Sequence, residues 1–111
     1  MSQHKVELAA NLPSGKAGVV LGYDRWPHEH FFCNVCASLG VDDTDEPLWA
    51  SIFDQELDHV TNVDGFDVQL AEYGITLPKA MKSELRTDWA RKEMHRDVIW
   101  KADGTILTEA K

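Results

Sequence analysis

The sequence predicts an α+β fold: an antiparallel sheet, formed by an N-terminal three-stranded meander plus a C-terminal hairpin, with two or three helices packed on one face. Three observations carry that expectation. Apolar and polar residues alternate with period two through much of residues 4–39. Apolar residues return every four positions from Met81 to Trp89, as on an amphipathic helix. Near the C-terminus, Asp103-Gly104 separates two short β-type runs, and Asp-Gly favours tight hairpin turns.

From His4 to Leu12 the pattern places Val6, Leu8, Ala10 and Leu12 on one face, with Lys5, Glu7 and Asn11 on the other, which is a strand signature. Pro13-Ser14-Gly15-Lys16 reads as a turn in which Gly15 takes a positive φ. A second strand spans Ala17 to Asp24. Its Val19, Leu21 and Tyr23 share one face; Gly18, Val20 and Gly22 share the other, where the glycines leave room for another backbone or a large ring. After Arg25–His30 comes the clearest strand, with Phe31, Cys33, Val35, Ala37 and Leu39 toward the core and Phe32, Asn34, Cys36 and Ser38 away from it.

Gly40 to Pro47 is an acidic loop, too charged to be buried. Beyond it, Leu48, Trp49, Ile52, Phe53, Leu57 and Val60 recur at helical spacing, so a helix is expected, although Leu48–Phe53 also suits a short strand. Asp64 is placed to cap a short helix whose inner face is Phe66, Leu70 and Tyr73. Gly74 then ends that helix in the left-handed conformation, and Ile75 folds back on it. Pro78 suits the first position of a second helix, residues 79–94, whose stripe is Met81, Leu85 and Trp89, widened by Ala90 and Met94. Residues 96–102 and 105–108 flank the Asp103-Gly104 turn. No repeat or linker interrupts the chain, so residues 1–111 read as a single α+β domain.

The 111 residues are 43% apolar, and 19 acidic side chains against 11 basic ones give a formal net charge of −8. A chain of this length buries roughly 65% of its extended surface and needs no covalent staples. No run approaches the ~20 apolar residues of a spanning helix, and the opening Met-Ser-Gln-His-Lys is unlike a secretory signal. Two cysteines cannot build a disulfide framework, so an intracellular, cytoplasmic location is expected. The acid excess disfavours direct binding of nucleic acid or of an anionic membrane, since both require a positive footprint. Charge is uneven: residues 1–78 carry a balance of −10 and residues 79–111 one of +2.

Several patterns invite a chemical reading. His28-x-His30-x2-Cys33-x2-Cys36 has the composition of a zinc site. On an extended strand, however, a three-residue step sends Cys33 and Cys36 to opposite faces, and His30 to Cys36 spans ~20 Å. A redox Cys-x-x-Cys also needs its first thiol at a helix N-terminus, whereas Cys33 follows Phe31-Phe32 in a β-pattern. Asn62-x-Asp64-Gly65 fails as a calcium loop because Val60 and Ala71 stand where ligands are required. Gly15-Lys16 lacks the remaining signature of a phosphate loop. Asp54, Glu56, Asp58 and His59 offer carboxylates and a base, but nothing implies the burial that tunes a catalytic acid; a solvated acidic face is the plainer account. No metal, cofactor or catalytic residue is assigned. The loop containing Tyr23, Arg25 and Trp26 is the candidate partner-binding element, because Arg and Trp dominate binding hot spots and Pro27 stiffens their display.

Ala17-Gly18-Val19-Val20-Leu21-Gly22-Tyr23-Asp24-Arg25, followed by Phe31-Phe32, resembles small uncharacterised accessory proteins of plasmids, phages and other mobile elements. Gly74-Ile75-x-Leu77-Pro78-x-x-Met81 is similar to the same group. The likeness covers about a third of the chain. It implies a host-interaction or accessory role and carries over no functional residue.

The expectation is therefore a small acidic, non-enzymatic module that binds a protein partner, with a homodimer through an open sheet edge as a further option. One alternative is an acidic decoy that imitates nucleic acid, using Asp42, Asp43, Asp45, Glu46, Asp54, Glu56 and Asp58. Another is a metal- or thiol-dependent enzyme built on His28, His30, Cys33 and Cys36.

Overall fold

The computed structural model describes residues 1–25, 28–37 and 47–110. The described residues form six strands: β1 (Ser2–Ala9), β2 (Lys16–Asp24), β3 (His30–Cys36), β4 (Trp49–Ala50), β5 (Arg96–Trp100) and β6 (Ile106–Ala110). Two α-helices, α1 (Asp67–Glu72) and α2 (Lys79–Arg91), lie between β4 and β5. The strands join in one sheet of order β4-β3-β2-β1-β5-β6. The fold is α+β as expected, but the sheet is mixed. β1 pairs antiparallel with β2 and parallel with β5, so the C-terminal hairpin is welded to the meander through a parallel contact. Side-chain alternation reports which residues face inward and carries no information about the direction of the neighbouring strand. The connection between the parallel strands β1 and β5 is long: it includes β2 to β4, and residues 51–95 then carry the chain through α1 and α2 from the β4 edge to the far side of β1.

The predicted alternation is realised on the helix-bearing face. Val6 and Leu8 of β1, Val19 and Leu21 of β2, Cys33 and Val35 of β3 and Val98 of β5 are buried there. They pack with Phe66, Leu70, Met81 and Leu85 from the helical layer. Tyr23, Phe31 and Trp89 form an aromatic corner, with the Trp89 centroid 5.3 Å and 5.1 Å from the other two rings. Phe31, Cys33 and Val35 face inward from β3 as expected, Ala37 is exposed, and Leu39 lies outside the described residues.

Turn chemistry follows the glycines. Gly15 has φ +78° and its amide donates to Leu12 O, closing the β1–β2 connection. Gly74 has φ +72°, and Ile75 N–H reaches back to Leu70 O across the end of α1, the bond of a Schellman cap. In the C-terminal hairpin, Gly104 (φ +89°) donates to Lys101 O while Lys101 N–H donates to Thr105 O. This is a type I turn closed by a left-handed glycine, a three-residue loop and not the primed two-residue turn that Asp-Gly suggests. The cap before α1 also moves: Asn62 accepts from Asp64 N–H, and Asp64 instead pairs with Lys82 and Arg86 of α2. On α2, Ala90 is exposed, and the inward position beside Leu85 is taken by Asp88.

The helix expected over residues 48–60 does not form. Trp49 and Ala50 make a two-residue edge strand on β3, Ser51–Phe53 a single 3₁₀ turn, and the chain then runs through turns to Val60, which bridges Phe31. The physical reason lies in the bonding of β3. Its outer edge needs partners, and Leu48 N–H gives one to Val35 O while Ser51 Oγ accepts from Cys33 N–H. Those contacts fix the segment in an extended state that helical spacing alone does not anticipate.

Candidate functional site

Docking β4 on β3 directs the residues after it away from the core. The 3₁₀ turn swings outward after the buried Ser51, leaving Ile52 73% and Phe53 82% exposed, with Leu48 half exposed beside them. Trp49 is partly buried, its ring 6.4 Å from Phe66, and forms the floor of a shallow groove that also includes Pro47, Leu48 and Phe53. Asp54 and Glu56 line the same groove. Asp54 Oδ1 accepts from Glu56 N–H, so the two carboxylates are displayed by a tight turn. The result is an apolar knob with an acidic rim at the edge of the sheet.

The seven acidic residues of the decoy alternative are only partly described. Asp42, Asp43, Asp45 and Glu46 lie outside the described residues; Asp54, Glu56 and Asp58 occupy irregular turns, not a helix face or a strand. The three aromatic-loop residues also separate. Tyr23 is fully buried, so it presents no surface to a partner and is removed from the candidate interface. Its hydroxyl donates to Glu29 Oε1 at 2.8 Å, and burial, reinforced by that carboxylate, pushes its pKa up to about 12. Glu29 also receives Lys92, and hydrogen bonds from Lys92 and then Tyr23 hold it below the usual carboxylate value. Arg25 is exposed, and Trp26 lies outside the described residues.

The two cysteines diverge. Cys33 is fully buried on the helix side, where burial pushes its thiol well above the ordinary value. Cys36, three residues on, faces the opposite side of the sheet, and no disulfide joins them. A thiol held protonated in the core is a poor nucleophile and a poor metal ligand. The four-residue His/Cys set therefore does not converge.

The structure also contains a polar cluster that sequence reasoning passes over. His4, fully buried, donates from Nε2 to Asp88 Oδ2 at 2.6 Å, and Trp100 Nε1–H donates to His4 Nδ1 at 3.0 Å. An indole N–H can only donate, which fixes the imidazole as the Nε2–H tautomer. Asp88 Oδ1 accepts from Arg96 Nη1, and the same guanidinium is bidentate on Glu109 and reaches Glu84. Burial pulls the Asp88 pKa upward, but hydrogen bonds from His4, Arg96 and Ser2 outweigh it and hold the carboxyl below its ordinary value. For Arg96, burial is likewise overcome by its three carboxylates, which raise its pKa. The Asp–His pair has the form of a catalytic dyad, yet both ring nitrogens are occupied and sealed from solvent. It cannot take a proton from a substrate and acts as a core clamp between α2 and the parallel β1–β5 pair. The sequence does hold a signal for it: His4, Asp88 and Arg96 each stand in phase with buried apolar neighbours.

Against protein-family models, curated proteins and solved structures, the chain finds no match.

Proposed function

We propose that the chain is a non-enzymatic protein-binding module whose docking surface is the Leu48–Phe53 edge and its acidic rim. The observation that carries this reading is the exposure of Ile52 and Phe53, two consecutive large apolar side chains, on a segment anchored by buried Ser51. Burying such a pair yields ~1.5–3 kcal/mol for each side chain, and a fixed backbone lowers the entropic cost of docking. Asp54 and Glu56 beside the knob, on a molecule of net charge −8, favour a partner that offers an apolar pocket ringed by Lys or Arg. The outer edge of β4 adds the option of pairing an extended partner segment.

The test is affinity capture from the native host, comparing the wild-type chain with an Ile52→Ser/Phe53→Ser double variant. Both side chains are exposed, so the variant should match wild-type stability within ~0.5 kcal/mol in urea denaturation. Retention of a basic protein by the wild type only, with release at raised salt, supports the reading. Equal capture by both proteins rejects this surface, and loss of self-association alone assigns it to a homodimer.

A further inference from the structure

The two ends of the sheet differ in length, covering and charge. β4 is two residues long and gives way at once to the 3₁₀ turn. β6 offers five residues, ~17 Å of strand at ~3.4 Å each, and all five are exposed. It ends the strand order, so no strand among the described residues pairs with its outer side. Natural edges are guarded by Pro, by Lys, by an inward-pointing charge or by a bulge. β6 holds neither Pro nor Lys, and its one charge, Glu109, is turned onto Arg96. It does carry a bulge, since Ile99 pairs with Thr108 and Trp100 with Ile106. The extra residue there is Leu107, an apolar side chain left 56% exposed beside the exposed Ile99 and Ile106.

Charge selects the occupant of this edge. Residues 96–111 carry Arg96, Lys101 and Lys111 against Asp97, Asp103 and Glu109, so the hairpin is neutral on a molecule of net charge −8. Two copies that meet at β6 bring no net charge together, and their Asp54–Glu56 rims stay at the opposite ends of the joined sheets. The same meeting at β4 would set two acidic rims against each other, and like charges across an interface are costly. Antiparallel pairing of β6 with itself is also self-complementary under a two-fold axis. With the axis at Thr108 the two threonines face each other, a favourable cross-strand pair, and no carboxylate lies opposite another.

From these observations we propose that β6 is a self-association edge, at which two copies of the chain pair these strands antiparallel about a two-fold axis at Thr108 and cover Ile106 and Leu107 at the seam. The two sheets then continue into one. A seam one strand wide falls below the ~1,200 Å² under which interfaces are transient, so the dimer dissociates on dilution. This surface is separate from the knob at β4, which stays open on each copy for a basic partner.

The experiment is sedimentation equilibrium of the full chain at rising concentration, on wild type, Leu107→Glu, the Ile52→Ser/Phe53→Ser knob variant and Val68→Glu. Val68 is exposed on α1, so its variant controls for the added charge. Circular dichroism verifies that each variant is folded. Wild type, the knob variant and the Val68 control should share one monomer–dimer constant. Leu107→Glu sets a carboxylate opposite Glu109 of the other copy and removes an apolar contact, so it should weaken the dimer at least roughly ten-fold. Raised salt should restore part of that loss. Hydrogen exchange of the wild type gives a reading that needs no substitution: amides of β6 should gain protection with concentration while those of α1 do not. A monomer at every concentration, a dimer unchanged by Leu107→Glu or lost in the knob variant, or β6 exchange that ignores concentration, overturns the proposal.

Discussion

Gly22 shows how much one missing side chain can matter in this sheet. A Cβ there would clash with the Ser2 carbonyl oxygen and stand 2.5 Å from the Phe32 ring. The bare strip expected beside the glycines is thus occupied, by a backbone and by a phenylalanine. Because the Ser2 carbonyl belongs to β1, it cannot yield without disturbing the sheet. Gly22→Ala should lower stability by about 3 kcal/mol, at the upper end of overpacking costs. By contrast, Gly15→Ala meets open space and should cost only about 1–2 kcal/mol, from its positive φ. Urea denaturation of the two variants checks the difference. Asp88 sets a pH dependence. Its folded-state pKa is lowered, so its contribution is fully present above the unfolded value of ~3.9 and is lost as pH falls through the folded value. Stability measured from pH 7 down to pH 3 should fall more steeply in wild type than in Asp88→Asn, which starts lower because Arg96 and His4 lose a buried charged partner. Equal slopes would show that Asp88 does not carry the acid sensitivity.

At the scale of elements, legibility tracks how much each segment depends on its own neighbours in sequence. The strands containing Val6 and Val19 are readable because alternation alone decides which face is buried, and α2 because Met81 and Leu85 mark its inner stripe. The segment from Leu48 to Val60 misleads because its conformation is decided by bonds to β3, from Leu48 N–H and Ser51 Oγ, which helical spacing does not register. One warning is present in its letters: neighbours such as Ile52 and Phe53 cannot both face inward from a single strand. The hairpin at Asp103-Gly104 stands where the turn signal puts it, but its loop is longer by one residue, because Gly104 and not the Asp-Gly pair takes the left-handed position.

For the molecule as a whole, α+β composition follows from sequence, whereas strand order does not. The parallel join of β1 and β5 is clamped by His4, which meets Asp88 and Trp100 across the core from 84 and 96 positions away. Pairings at that separation leave no local periodicity, only polar letters in apolar phase. No helix among the described residues is long and apolar enough to cross a membrane. The proposed docking surface sets Asp54 and Glu56 beside the exposed Ile52 and Phe53, and a basic protein is the partner that the proposal predicts. The decisive measurement is photo-crosslinking in the native host, with a photoreactive phenylalanine at position 53 and, as control, at Val68, which is 80% exposed on α1. A protein-binding knob at β4 should give a discrete adduct with a basic protein from position 53 and none from position 68. Adducts of equal yield from both positions, or none from position 53, would contradict that role.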